Sequence, residues 1–448
     1  MEKITKQEFE AIYTDKLTAK QRPVLKEFLQ NKLDPQIANS LTPKVTRSCV
    51  SDHISNICQS FNITNEPGGG YTQREELILL FVKYKPELVC EEFLKRYGKT
   101  TPETRKILED PEEPVPLNSD FYVERSLMEA DCYQQILGRG SMIRIKAPKL
   151  MGKTSLLNRI IERAKTNDYR LVCLDFRDAE TEIFSNLNDF FHWFCLNISR
   201  ELKLESNIDK NLQGGGGILM NCKNYFEDEV LGARDSPLVL ALEEIDRIFC
   251  YKEISENFFS MLRSWFDKSR KREGWKNLRM VLLYSTNVYV KLPYNQSPFN
   301  VGFEVKLTEF SQQNILDLAS RHQLSWGTDE VVALMGMVGG YPYLVRKALY
   351  DLKDSNLSLA DILQNAATNV GIYGKHLQSH WANVQDYSEL KAALKQVVSE
   401  DTAVNLEPVL EFKLLSTGLV KQNQHGITPS CRLYRDYFAE KFRDESRE

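Results

Sequence analysis

The segment 142–164, MIRIKAPKLMGKTSLLNRIIERA, most narrows what this chain can fold into, because an apolar run, a loop and a helical pattern follow one another. Gly152, Lys153 and Thr154 stand where a GxxxxGK[ST] loop places its last three residues, with Ala147 where the first glycine would stand. Such a loop turns successive backbone N–H groups toward one point at a helix N-terminus, whose partial positive charge favours an anion. Gly152 permits close approach, Lys153 reaches β- and γ-phosphate oxygens, and the Thr154 hydroxyl ligates Mg²⁺. ATP or ADP with Mg²⁺ is therefore expected on Ala147, Pro148, Lys149, Leu150, Met151, Gly152, Lys153, Thr154 and Ser155.

A second motif supports the first. PLVLALEEID (237–246) reads as a fully buried strand ending in two carboxylates. Side chains alternate along a strand, so Glu243 and Glu244 diverge and take different roles. Glu243 is expected to hold the metal with Thr154, and Glu244 to polarise an attacking water, with Lys153 as its catalytic partner. Glu243 stands where Asp is usual, which moves the carboxylate by roughly 1.5 Å. A solvated acidic loop is the alternative. RMVLLY (279–284) ends in Ser285 and Thr286, which either sense the γ-phosphate or cap a turn. RLVCLD (170–175) ends in Asp175, read as structural.

Strand-like runs alternate with helical patterns from 121 to 309, the signature of a parallel sheet, and the chain is almost wholly helical beyond 310. The expected fold class is multidomain α/β. Turn-rich NEPGGG (65–70) and a Pro-rich acidic stretch (100–119) mark the boundaries. They give a helical domain at 1–65, a helical pair and linker at 66–118, an α/β core at 119–309, a helical lid at 310–382 and a last domain at 383–448.

With 448 residues, 42% hydrophobic and 27% charged, the composition excludes fibrous and disordered classes. A net charge of -4 demands no polyanionic partner for the whole chain. The 9 cysteines are scattered without a CxxC pair and read as reduced thiols. His376 and His380, four apart, read as packing residues. Neither a long apolar run nor an apolar leader is present, so a cytoplasmic protein without membrane association is expected.

Beyond the two nucleotide motifs stand PVPLNSDFYVER (114–125), SPFNVG (297–302), GGYPYLVRKALY (339–350) and GLVKQNQHGITPSCRLYRDYF (418–438). With these the chain resembles the bacterial AAA-like family of STAND-type P-loop ATPases, kin of the AAA+ group, from about 114 to the C-terminus. The resemblance implies that Phe121, Tyr122, Val123 and Arg125 approach the adenine and that Pro342 closes on the nucleotide from the lid. It also implies a C-terminal winged helix that packs on the lid as a switch element. It fixes no arginine finger, and Arg263, Arg270, Arg272 and Arg346 stay open.

The segment 17–63 is similar to LuxR-like and sigma-factor helix-turn-helix units, with helices at 19–30, 34–40 and 45–61. In that arrangement Arg47, Ser48, Ser51 and Asp52 face bases and Lys44 lies near phosphate. Residues 1–65 hold nine Lys and Arg against seven Asp and Glu, a net of +2, well short of a strongly basic reader. DNA and a protein partner therefore both stay open. The functional expectation is a slow, ATP-dependent switch acting in regulation, signalling or defence and forming nucleotide-dependent homo-oligomers. The alternatives are a DNA-remodelling or DNA-loading AAA+ ATPase and a nucleotide-binding scaffold without catalysis.

Overall fold

The computed structural model describes residues 6–63, 73–97, 109–205, 208–232, 234–285, 292–355 and 357–445. The chain divides into two units, Met1–Glu109 and Asp110–Glu448.

The first unit is all helical among its described residues. Helices Gln21–Leu29, Asp34–Ser40 and Arg47–Ser60 are followed by Gln73–Tyr84 and Glu91–Tyr97. Their apolar faces meet in a core where Phe9, Phe61 and Phe81 pack ring against ring at 5.1–5.6 Å. Thr46 caps the Arg47–Ser60 helix by accepting the Cys49 N–H at 3.3 Å. Arg74 forks onto both carboxylate oxygens of Asp34 at 2.7 Å, tying the Gln73–Tyr84 helix to the start of the Asp34–Ser40 helix.

The second unit is built on a parallel sheet of five strands. These are β1 (Met142–Lys146), β2 (Arg170–Asp175), β3 (Leu238–Glu243), β4 (Leu278–Tyr284) and β5 (Phe303–Lys306). Their order is β2-β3-β4-β1-β5, every neighbouring pair parallel. One face of the sheet, including Val172, Leu240, Met280 and Leu282, joins a core rich in aromatic rings from the Leu187–Leu202 and Lys252–Lys271 helices. Phe258 lies 5.1 and 5.2 Å from Phe190 and Phe194. The alternate positions Ile143, Ile145, Val239, Ala241 and Val281 are buried as well. A sheet covered on both faces explains why these strands read as continuous apolar runs.

Parallel strands send their carboxyl ends to one edge, and β1 lies between β4 and β5 there, where the chain changes direction across the sheet. Helices Gln312–Arg321, Thr328–Val338, Pro342–Asp354 and Gly374–Gln385 follow. The last part comprises Ser388–Ser399, Pro408–Thr417, an antiparallel hairpin of β6 (Val420–Asn423) and β7 (Gly426–Pro429), and Arg432–Glu445. Val404 adds a bridge to Ile427 beside that hairpin. No helix among the described residues is long and apolar enough to cross a membrane.

Candidate functional site

The loop between β1 and the Lys153–Lys165 helix holds two left-handed residues, Leu150 at φ 63° and Gly152 at φ 93°. A Cβ on Gly152 would meet nothing within 4 Å, so the backbone angle and not space calls for glycine there. Gly152 offers no capping side chain and no acid occupies the first turn, so no side chain of that turn competes for the leading N–H groups.

Lys153 is buried at the helix start. Its ammonium donates to the carbonyls of Ala147 and Pro148 at 3.0 and 3.1 Å and to Ser285 Oγ at 2.8 Å. Burial holds its pKa below the usual lysine value, opposed by the charges of Glu244 and Asp246. Thr154 donates to Glu243 Oε2 at 3.0 Å. Burial raises the Glu243 pKa, the Thr154 bond opposes that, and Asp175, opposite it in the β2–β3 register, raises it further. Asp175 itself is held by Arg177, whose Nε lies 2.8 Å from Oδ2.

Glu244 follows in the left-handed region at φ 54°, opening the short Ile245–Ile248 turn. The turn brings Asp246 back to the site, where Oδ2 accepts the Ser285 N–H at 3.2 Å. Its Oδ1 is buried without a hydrogen bond among the described residues, and burial and Glu244 raise its pKa. Asp246 is a site residue that strand-end reasoning missed, because only the turn geometry carries it back to β4. Thr286 lies outside the described residues.

The arm before the sheet is clipped across this loop. Val115 N–H donates to Ser155 Oγ at 2.9 Å, so that hydroxyl serves the arm. Arg159 donates to the carbonyls of Val115 and Pro116 and stacks on Tyr122 at 3.3 Å. Phe121 and Val123 are buried, the former packed on His322 at 4.3 Å. Arg125 reaches the carbonyls of Met151 and Thr308 at 3.4 and 3.3 Å, spanning the loop and the start of the lid.

From the lid side the touching residue is Tyr341, whose hydroxyl donates to the Lys149 carbonyl. Pro342 is buried behind it as the first residue of its helix. Gly340 sits so close to Phe310 that a Cβ would lie 2.1 Å from its carbonyl oxygen. The C-terminal part arrives at the same spot. Gly418, at φ 77°, would place a Cβ 3.0 Å from both Pro148 Cβ and the Tyr341 hydroxyl. Beneath this contact His376 pairs with the Tyr434 hydroxyl at 2.9 Å and packs on His380 at 4.5 Å. Gly418 was missed because a helix-ending glycine is an ordinary signal, while Tyr341 belongs to the Gly-Tyr-Pro run expected to close from the lid and makes the contact in place of Pro342.

In the first unit, Lys44, Arg47, Ser48, Ser51 and Asp52 are all exposed around the start of the Arg47–Ser60 helix.

Among solved structures, a Walker-type ATPase of Pyrococcus abyssi is similar with TM-score 0.50 and 13% identity, covering 73% of this chain and 98% of that one. That likeness shows a shared fold. The Aeropyrum pernix ORC2 protein, solved in ADPNP–ADP complexes, aligns at TM-score 0.46 and 16% identity over 76% of this chain and 98% of its own. A STAND protein with a tetratricopeptide sensor from Pyrococcus horikoshii aligns at TM-score 0.32 and 14% identity, over 75% of this chain and 44% of that one. No curated protein matches the chain. Residues 110–440 match the model of the AAA-like domain, and the chain belongs to that family.

Proposed function

We propose that the chain binds ATP and ADP on the loop 147–155 and acts as a nucleotide-operated regulatory switch. The observation that carries this reading is the shared contact at Pro148 and Lys149. Tyr341 from the lid and Gly418 from the C-terminal part both rest on the loop that would hold the phosphates. A ligand that moves this loop therefore changes what the lid and the hairpin part rest on, and nucleotides that fit the two arrangements unequally shift their populations.

Lys153 has the donors for this task. Its N–H groups now satisfy two carbonyls and Ser285, and a phosphate oxygen is a stronger, charged acceptor for them. An anion there would also relieve the cost of the buried ammonium, which its lowered pKa reports. Mg²⁺ fits the donor set of a hydroxyl and a carboxylate already 3.0 Å apart, so Thr154 and Glu243 would hold it. When bound, the metal neutralises phosphate charge. Glu244 projects from a turn of its own, free of the Thr154 contact, and is the group to orient water for slow hydrolysis. Phe121, Tyr122, Val123 and Arg125 frame the base side, with Pro342 stiffening the lid.

The test is limited proteolysis of the lid and hairpin with ADP, with a non-hydrolysable ATP analogue and without nucleotide. The switch predicts different protection with the two ligands; identical patterns in all three states contradict it.

A second reading, a DNA-loading ATPase, is supported by exposed Arg47, Ser48 and Ser51 in the first turns of the Arg47–Ser60 helix, with exposed Lys44 in the loop before it, the positions that the helix-turn-helix resemblance would turn toward DNA. It predicts sequence-preferring duplex binding that Arg47→Ala removes and DNA-stimulated turnover. Absence of duplex binding at low salt leaves the first unit as a protein-docking head in regulation, signalling or defence.

A further inference from the structure

On the second unit, away from the nucleotide loop, the Lys252–Lys271 helix and the loop 292–297 enclose a groove of about 350 Å³ with a polar lining. Arg263 is its brace. Its guanidinium donates to the Ser297 carbonyl at 3.1 Å and Asn300 Oδ1 at 3.0 Å, and its charge is met by Asp267 at 3.2 Å. The cations further along the groove are not neutralised in this way. Lys271 and Arg272 are exposed and form no ion pair among the described residues. Lys268 sits 5.0 Å over the Trp275 ring, and partial burial and then the like charges of Lys223 and Arg272 lower its pKa against the pull of Glu227. Three cations on the last turns exceed what one helix end calls for, and they form a row that an anionic chain would satisfy.

An aromatic ring stands beside the other end of the groove, next to the lining residues Asn295 and Gln296. Tyr294 is 78% exposed, yet its backbone is pinned, since its carbonyl accepts Asn300 Nδ2 at 2.6 Å and Arg263 Nη1 at 3.4 Å. The eight-residue step from Arg263 to Lys271 spans about 12 Å of helix. An exposed ring on a pinned backbone at one end of a cation row matches how single strands are held, with bases stacked on aromatic faces and phosphates on Lys and Arg. A duplex keeps its bases stacked on one another and has no use for the ring.

We propose that this groove binds single-stranded nucleic acid, with phosphates along Lys268, Lys271 and Arg272 and a base on Tyr294. The inference stands on this surface and not on the nucleotide site.

The test uses the full chain in an Arg47→Ala background, which keeps any duplex reading by the first unit out of the signal. Fluorescently labelled oligo-dT and oligo-U are titrated across a salt series, and the thermal unfolding midpoint of each variant confirms folding. Binding of either oligonucleotide is expected. K271A/R272A should weaken it about tenfold and make the slope of log K against log salt shallower by about 1.4, two phosphates at about 0.7 each. Tyr294→Ala should weaken it at least about fivefold with the slope unchanged, since stacking carries no counterions. Absence of binding at about 50 mM salt, or binding unchanged in both variants, overturns the proposal. So does poly-glutamate competing as well as the oligonucleotide, which would make the groove a dock for an acidic protein.

Discussion

The Thr154 hydroxyl donates to Glu243 Oε2 at 3.0 Å, joining the first turn of the loop helix to the end of β3 across the site. On the proposed reading, a metal between this carboxylate and the hydroxyl would find both. Glu243→Gln keeps the shape and removes the charge. It should weaken Mg²⁺-dependent ATP binding about tenfold while metal-free binding stays within about twofold. Calorimetry with and without Mg²⁺ checks this; equal losses in both would remove Glu243 from the metal.

Glu244 sits at φ 54°, a conformation that costs a side-chain-bearing residue roughly 1–2 kcal/mol. Glu244→Gly should therefore raise stability by up to about 1 kcal/mol while eliminating turnover, the exchange expected where strain serves chemistry. Glu244→Gln should lose turnover and keep nucleotide affinity. Denaturant melts and phosphate-release assays on the two variants check the pair, and turnover at the wild-type rate in Glu244→Gln would leave the carboxylate without a catalytic role.

Gly418 and Tyr341 join the C-terminal part and the lid to the loop. Gly418→Val adds a branched side chain where a Cβ already lies 3.0 Å from Pro148 and where φ is 77°. It should cost about 1–3 kcal/mol and speed ADP release severalfold by lifting the hairpin off the loop. Tyr341→Phe removes the bond to Lys149 alone and should speed release without measurable loss of stability. Stopped-flow release of a fluorescent ADP reads both; unchanged rates would uncouple the contact from the nucleotide.

Buried His322 and half-buried His376 and His380 should set the acid limit. Burial lowers His322 and His380 to about 4 and His376 to about 3, aided by Arg346, Lys149 and His380 respectively, from an unfolded value near 6.5. The folded state thus binds fewer protons than the unfolded chain in this window. Stability is complete above about pH 6.5 and falls as pH drops toward 4, by up to about 1.4 kcal/mol per pH unit for each group. His376→Gln with His380→Gln should flatten the fall between pH 6.5 and 4.5, measured by thermal melts; an unaltered slope would place the titration elsewhere.

The loop and both sheet strands around it were legible in the sequence because each is a local pattern. Lys153 and Thr154 open the loop helix, and Thr154 reaches Glu243. Strands β1, β3 and β4 lie near their apolar runs because both faces of the sheet are covered there, and β2 lies on its run at the edge, whereas β5, FEVK, has no apolar run to read. What spacing could not show is contact between distant segments. Ser155 serves Val115 and Pro342 lies behind Tyr341, while Asp246 returns to Ser285 through a turn. The groove beside Tyr294 likewise depends on a loop folding against a helix, and no motif announces it.

The central claim is a triphosphate held at Lys153. Equilibrium binding of ATP to the wild-type chain and to Lys153→Ala, with circular dichroism to confirm that both are folded, tests it most directly. Micromolar wild-type affinity that falls at least about a hundredfold in the variant is predicted. Equal affinity in the two, or no affinity in the wild type, would contradict it.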